Sequence, residues 1–75
     1  MARVLHLLAR ASAARAVTVI RGDVEAGDEV AVALIADASI DPPLPQTVSV
    51  HRVPAQWSYD QLLEQIFCAD RVVTW

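Results

Sequence analysis

The chemistry that this chain could perform depends first on Cys68, its only cysteine, in the segment YDQLLEQIFCADRVVTW. A thiol can accept sulfur as a persulfide, so Cys68 is the candidate catalytic residue of a sulfur carrier. It lies in the last helical turn beside Asp70, where the helix dipole disfavours a thiolate. On a helical wheel it falls almost opposite the apolar residues expected to hold this helix to a sheet: Tyr59, Leu62, Leu63, Ile66 and Phe67. We therefore expect an incidental or interface cysteine, with the sulfur carrier as the alternative.

Two histidines and one aspartate are the other candidates. His6 lies between leucines in RVLHLL, which is typical of a buried, hydrogen-bonded histidine, and His51 follows in TVSVHRV. The two imidazoles could approach each other if their strands were neighbours, but no third ligand stands at metal-binding spacing, and we predict no metal site. Asp37 follows an apolar strand, where ligands gather in doubly wound sheets, although a turn-capping role is the simpler interpretation. The chain has no glycine-rich phosphate loop, Ser-His-Asp arrangement or Cys-x-x-Cys pair, and we expect no cofactor.

Three elements are predicted to position the first of these residues. Arg3–Leu8 forms an apolar strand, and Ser12 caps a helix that ends near Gly27. One face of that helix carries the apolar residues Ala13, Val17, Ile20 and Val24. An alternative makes residues 16–20 a strand of a hairpin, but it leaves a two-sided apolar strand without cover, and we favour the helix. A second strand over Val30–Ala36 lacks polar alternation, as expected of a strand covered on both faces.

The second half of the chain predicts a connection, a strand, a helix and a strand. Three prolines in DASIDPPLPQ exclude a helix, and a third strand follows over Thr47–Val53. Ser58 and Gln61 match a capping box that starts a helix running to about Ala69, and RVVTW closes as a strand. The order β-α-β-β-α-β predicts an α/β fold with a mostly parallel four-stranded sheet, in which a proline-rich loop replaces one crossover helix.

Length and composition predict a single domain over residues 1–75 that gains from assembly. A chain this short buries only about 60% of its unfolded surface, yet 55% of its residues are hydrophobic. Oligomerisation would bury the surplus apolar surface. The proline-rich connection would also leave one sheet face thinly covered, which favours a partner packing there.

Charge and hydropathy argue against nucleic-acid and membrane partners. The net charge is −3, and the six arginines are scattered, whereas nucleic-acid modules concentrate basic residues on one face. No apolar run approaches the roughly 18–20 residues that span a bilayer. The run VLHLLA is interrupted by His6 and is too short for a signal peptide, and a single cysteine offers no disulfide framework. We expect a cytoplasmic protein.

Three stretches share an order and spacing with a known family. VLHLLARAS carries Leu-His and a serine beyond the first strand, and AGDEVAVALIADAS carries Gly27, Asp28 and Asp37. YDQLLEQIFCADRVVTW carries a tyrosine–acid helix start, an aliphatic helix and an apolar strand that ends on tryptophan. The residues of this last match are Tyr59, Asp60, Leu62, Val72, Val73 and Trp75. Together the stretches cover roughly half of the chain and resemble the DsrH/TusB family of DsrE-like sulfur-relay proteins, from which Ala36 and Ser39 depart.

The resemblance implies a small flavodoxin-like fold and oligomeric assembly in the cytoplasm. Members of the family occur in heterohexamers that pass persulfide sulfur, toward tRNA 2-thiouridine in one branch and in sulfur oxidation in another. The persulfide cysteine belongs mainly to the DsrE/TusD-type partner, and a candidate cysteine of DsrH-type subunits lies early in the chain, where this chain has none. The implied partners are the chain itself or DsrE/DsrF (TusD/TusC)-like subunits.

We therefore expect a non-catalytic subunit, or a homo-oligomeric member, of this family. His6, Asp37, Tyr59 and Trp75 are its ligand or interface candidates. The enzymatic alternative is a persulfide carrier that uses Cys68. A third possibility is a small-ligand-binding α/β module that uses the strand ends near Asp37, against which the absence of a glycine-rich turn counts.

Overall fold

The chain forms one layer of strands with a helix on each face. The computed structural model describes residues 2–9, 14–36, 38, 44 and 46–75. Its elements, in chain order, are β1 (Arg3–Leu8), α1 (Ala14–Glu25), β2 (Glu29–Ile35), β3 (Ser49–Val53), α2 (Tyr59–Cys68) and β4 (Arg71–Thr74). The order predicted from the sequence is confirmed, with strand and helix ends that differ by one or two residues.

All four strands run parallel, in the order β3-β2-β1-β4. This is a compact α/β fold consistent with a small flavodoxin-like arrangement, and it confirms the predicted fold class. β3 lies beside β2, whereas the flavodoxin order 2-1-3-4-5 places the third strand on the far side of β1. The described residues of the β2–β3 connection contain no helix, and β3 takes the position next to β2. The strands that carry His6 and His51 are therefore separated by β2 and are not neighbours.

The direction of the strand order decides which face each helix covers. The connections from β1 to β2 and from β2 to β3 run toward one edge of the sheet, and the connection from β3 to β4 runs toward the other edge. Because crossovers between parallel strands are right-handed, connections that run in opposite directions lie on opposite faces of the sheet. On the α1 face the buried cluster contains Leu8, Ala16, Ile20, Val30, Val32, Leu34, Ala38 and Val48. On the α2 face it contains Leu5, Ala33, Val53 and Leu62. Each helix thus closes its own half of the core.

α1 is a helix, and the hairpin alternative for residues 16–20 is wrong. Residues 16–20 lie within this helix, and Val17 and Ile20 are buried on the helix face that meets the sheet. The helix ends in a Schellman motif, in which Gly27 N–H donates to Val24 O and Asp28 N–H donates to Asp23 O. Gly27 has φ 87°, the left-handed conformation that this motif requires. The predicted cap at Ser12 and the contact of Ala13 lie outside the described residues.

α2 begins where the capping box predicts. Ser58 Oγ accepts from Gln61 N–H at 3.1 Å, and Gln61 Oε1 accepts from Ser58 N–H at 2.9 Å. Two otherwise unpaired N–H groups of the first turn are thereby satisfied. The helix therefore has a fixed start, which sets the direction in which each of its side chains points.

The connection between β2 and β3 packs over the α1 face where it is described. Ala38 and Val48 are buried, and Leu44 is half-buried against the same cluster. Pro42, Pro43 and Pro45 lie outside the described residues. The expected thin cover on this face is wrong for the described part of the connection, because these apolar side chains complete the cluster. Among the described residues, the large exposed apolar side chains lie mainly on α2, with Val19 on α1.

Candidate functional site

His6 stands at the centre of the sheet and makes two side-chain hydrogen bonds. Its side chain is fully buried under α1. Nε2 lies 2.9 Å from Asp23 Oδ2, and Nδ1 lies 3.1 Å from Trp75 Nε1. The imidazole and indole rings are near-parallel, with centroids 6.2 Å apart. The sequence predicts a buried, hydrogen-bonded histidine here, and the structure adds its partners.

The tryptophan fixes the tautomer of the histidine. An indole N–H is a donor only, so Nδ1 of His6 must accept, and Nε2 therefore carries the proton and donates to Asp23. The second oxygen of Asp23 accepts from Arg71 at 2.8 Å. The resulting chain Trp75–His6–Asp23–Arg71 ties β4, β1 and α1 together. Both ring nitrogens are engaged and the ring is shielded from solvent, so the chain of contacts supports the fold and offers no free base to a substrate.

His51 has a different environment on the other face of the sheet. It lies opposite Ala33 in the β2–β3 register and stacks on Trp57, with ring centroids 4.1 Å apart and an interplanar angle of 10°. His6 is on the α1 face, so the sheet separates the two imidazoles. Within the described ranges, no group of three His, Cys, Asp or Glu residues could hold a metal ion.

Cys68 is exposed, as its position on the helical wheel predicts. It borders a cavity of about 270 Å³ between α2 and the amino ends of the strands, together with Arg3, Ser49, Trp57 and Gln65. Arg3 already pairs with Glu29 at 3.2 Å, so its guanidinium is not dedicated to the thiol. The arrangement leaves the thiol accessible, and the one carboxylate that lines the cavity among the described residues, Glu29, is paired with Arg3.

The predicted site at Asp37 lies outside the described residues. The carbonyls of Ala36 and Ala38 accept from Nη1 and Nη2 of Arg52, each at 2.9 Å. Arg52 therefore ties the carboxyl end of β2 to β3. Ala36 has φ 56°, a left-handed conformation that is uncommon for a residue with a side chain and that starts the turn.

The largest exposed apolar side chains stand in one row along α2. Tyr59, Leu63 and Phe67 are spaced four residues apart, and their exposed fractions are 64%, 52% and 78%. We call these three residues the α2 stripe. At 1.5 Å per residue it is about 12 Å long. Asp60 and Glu64 lie along one flank of the stripe, and α2 contains no lysine or arginine.

The stripe corrects the prediction that all five apolar residues of α2 hold the helix to the sheet. Leu62 is buried and Ile66 is half-buried against the sheet, but Tyr59, Leu63 and Phe67 are not. On a helical wheel the five side chains span about 140°, with Leu62 and Ile66 at one end of the arc and the stripe at the other. The buried face of a surface helix is about 100° wide or more, so the sequence pattern does not show which end of the arc is exposed.

No described helix is long and apolar enough to cross a membrane. Comparison of the chain with protein-family models, with curated proteins and with solved structures found no match. Three features of the described residues stand out: the α2 stripe, the Trp75–His6–Asp23–Arg71 chain of contacts around the buried His6, and the exposed Cys68.

Proposed function

We propose that the protein is a non-catalytic subunit that assembles with other protein chains through the α2 stripe. The observation that carries this proposal is the row of three large apolar side chains exposed on a helix that Leu62 and Ile66, on the adjacent face, already anchor to the sheet. Burying a leucine or phenylalanine side chain from water contributes about 1.5–3 kcal/mol. Aromatic residues are also enriched among the residues that dominate protein interfaces.

The environment of the histidines supports a non-catalytic role. His6 is engaged at both nitrogens and fully buried, and His51 is stacked on Trp57. An activated nucleophile needs a neighbouring base that is itself oriented by a third group. Asp23 and His6 form such a pair, but Trp75 occupies the position where the nucleophile would have to stand.

The resemblance to the DsrH/TusB family supplies the biological setting of this proposal. Subunits of that family serve assemblies that relay persulfide sulfur, toward tRNA 2-thiouridine or in sulfur oxidation. The partners would be further copies of this chain or DsrE/DsrF (TusD/TusC)-like subunits, in the cytoplasm. The protein would be an accessory subunit of a sulfurtransferase assembly, with no direct contact to nucleic acid.

Assembly is tested by measuring molar mass in dilute solution. The chain is examined at micromolar concentration, alone and with purified DsrE- and DsrF-type subunits, by size-exclusion chromatography with light scattering. We expect a species larger than one chain in at least one of these samples. The Phe67→Asp variant should shift the chain toward the monomer, whereas the Gln65→Glu variant adds a charge on the other flank of α2 and should not. A monomer in every sample contradicts the assembly role.

A second candidate function is a persulfide carrier, favoured by the accessibility of Cys68 at the edge of the 270 Å³ cavity. The Cys68 thiolate would attack the terminal sulfur of a donor cysteine persulfide. One S–S bond forms, one breaks, and the donor leaves as a thiolate, so no external oxidant is consumed. Incubation with a cysteine desulfurase and cysteine, followed by intact-mass measurement, should then show the gain of one sulfur atom. If the wild type gains no more mass on incubation than Cys68→Ser does, the carrier role is wrong.

A further inference from the structure

A shallow depression lies on the α1 side of the molecule, across the sheet from the α2 stripe. It has a volume of about 620 Å³ and is lined by Arg15, Thr18, Val19 and Trp75. We call it the α1 depression. Val19 is 40% exposed, and the Trp75 ring is half-buried. The hydrogen bond from the indole to His6 fixes this ring, so the apolar floor is held in place before anything binds.

We propose that the α1 depression receives the α2 stripe of a second copy of this chain. The proposal rests on the assembly function proposed above and names the occupant of the stripe. Phe67, the most exposed of the three stripe residues, would enter between Val19 and Trp75. Each copy would then offer one stripe and one depression, on opposite faces of its sheet.

Charge favours this pairing. The stripe is flanked by Asp60 and Glu64, and α2 has no basic residue to neutralise them. The depression is bordered by Arg15, which is exposed and has no ion-pair partner among the described residues. Opposite charges at the rim of an interface steer association and select its orientation. The acidic flank of the stripe is therefore complementary in charge to Arg15, and the apolar side chains of the stripe match the apolar floor of the depression.

The same charges disfavour the simplest alternative, in which two α2 stripes pack against each other. In an antiparallel pair of helices related by a twofold axis, each flank faces its own counterpart. Asp60 and Glu64 of one copy would face the same acids of the other, and such like-charge contacts are destabilising. A stripe-to-depression contact avoids this repulsion. It is a head-to-tail contact, which closes into a ring or continues as a chain of copies.

The two contact regions lie on opposite faces, so one copy can engage two neighbours without the neighbours competing for the same residues.

The test uses two variants, each defective in one half of the contact. Phe67→Asp removes the stripe half and keeps the depression, while Val19→Asp does the reverse. We expect each variant alone to self-associate at least about tenfold more weakly than wild type, because a central interface residue is lost. An equimolar mixture should regain a heterodimer, since one intact stripe meets one intact depression. Sedimentation velocity reads the species, and circular dichroism establishes that each variant is folded.

The outcomes separate this inference from the proposed function. Wild type that self-associates while the mixture stays monomeric overturns the head-to-tail contact and leaves assembly standing. The same holds if Arg15→Glu associates as tightly as wild type. A chain that is monomeric alone but enlarges with DsrE- or DsrF-type subunits shows that another protein occupies the stripe, which also overturns the inference alone. No assembly in any sample overturns both.

Discussion

Replacing Trp75 with phenylalanine removes one hydrogen-bond donor and keeps most of the ring. In the wild type that donor satisfies Nδ1 of His6, which is fully buried. The imidazole cannot compensate by moving its proton to Nδ1, because Nε2 would then present a lone pair to the Asp23 carboxylate. Either way one buried polar atom loses its partner, which costs about 1–3 kcal/mol.

The loss is large for a domain of this size. For 60–100 residues each kcal/mol lowers the melting temperature by about 4–8 °C, so we expect Trp75→Phe to melt well below wild type. The measurement is urea unfolding followed by circular dichroism, together with a thermal scan. Trp57→Phe is the matched control, because Trp57 stacks on His51 and has no side-chain hydrogen bond to a described residue. Subtracting the destabilisation caused by Trp57→Phe from that caused by Trp75→Phe corrects for the smaller ring of phenylalanine.

A double-mutant cycle isolates the hydrogen bond itself. The His6→Leu variant lacks the imidazole nitrogen that accepts from the indole N–H. In that variant Trp75→Phe should therefore lower the free energy of unfolding clearly less than it does in the wild type. The difference, expected within the range of about 0.5–3 kcal/mol found for residues in contact, is the coupling between the two side chains. The reasoning is refuted if Trp75→Phe is no more harmful than Trp57→Phe, or if its cost is the same in both backgrounds.

Three further predictions concern the local structure. In urea unfolding at a concentration where the chain is monomeric, Leu62→Ala should lower the free energy of unfolding by about 2–5 kcal/mol, whereas Leu63→Ala in the exposed stripe should change it by no more than about 0.5 kcal/mol; equal costs would contradict the orientation of α2. Ser58→Ala should cost about 1 kcal/mol through loss of the capping box, measured by urea unfolding, and an unchanged midpoint would contradict that cap. Gly27→Ala places a side chain at φ 87° and should also destabilise by roughly 1–2 kcal/mol; a stabilised variant in thermal unfolding would disprove the left-handed turn.

The sequence was informative where the deciding interactions are local. The capping box at Ser58, the helix end at Gly27 and the apolar runs of β1 and β2 each involve residues a few positions apart, and the structure contains all of them. The strand order was not predictable in this way. Placing β3 beside β2 depends on the path of the connection between them, which no residue pattern specifies.

The candidate site depends even more on distant contacts. His6 and Trp75 are 69 positions apart, and Asp23 reaches Arg71 across 48 positions. Both pairs exist only because β4 returns to lie beside β1, which brings the two ends of the described chain together. The sequence could therefore predict that His6 is buried and hydrogen-bonded. It could not name the partners, and these decide that the imidazole is a fixed structural group.

The contrast between the buried and the exposed apolar residues of α2 is the main reason for the proposed assembly role. Elsewhere on the outer side of this helix the sequence places polar residues, namely Asp60, Gln61, Glu64 and Gln65. Folding explains Leu62 and Ile66, because these pack on the sheet. It does not explain the stripe, since exposed apolar side chains gain nothing from water. The proposed assembly accounts for this row, which contributes little to the stability of the single chain. The acidic residues beside it, on a helix with no lysine or arginine, are consistent with a partner surface that carries a positive charge.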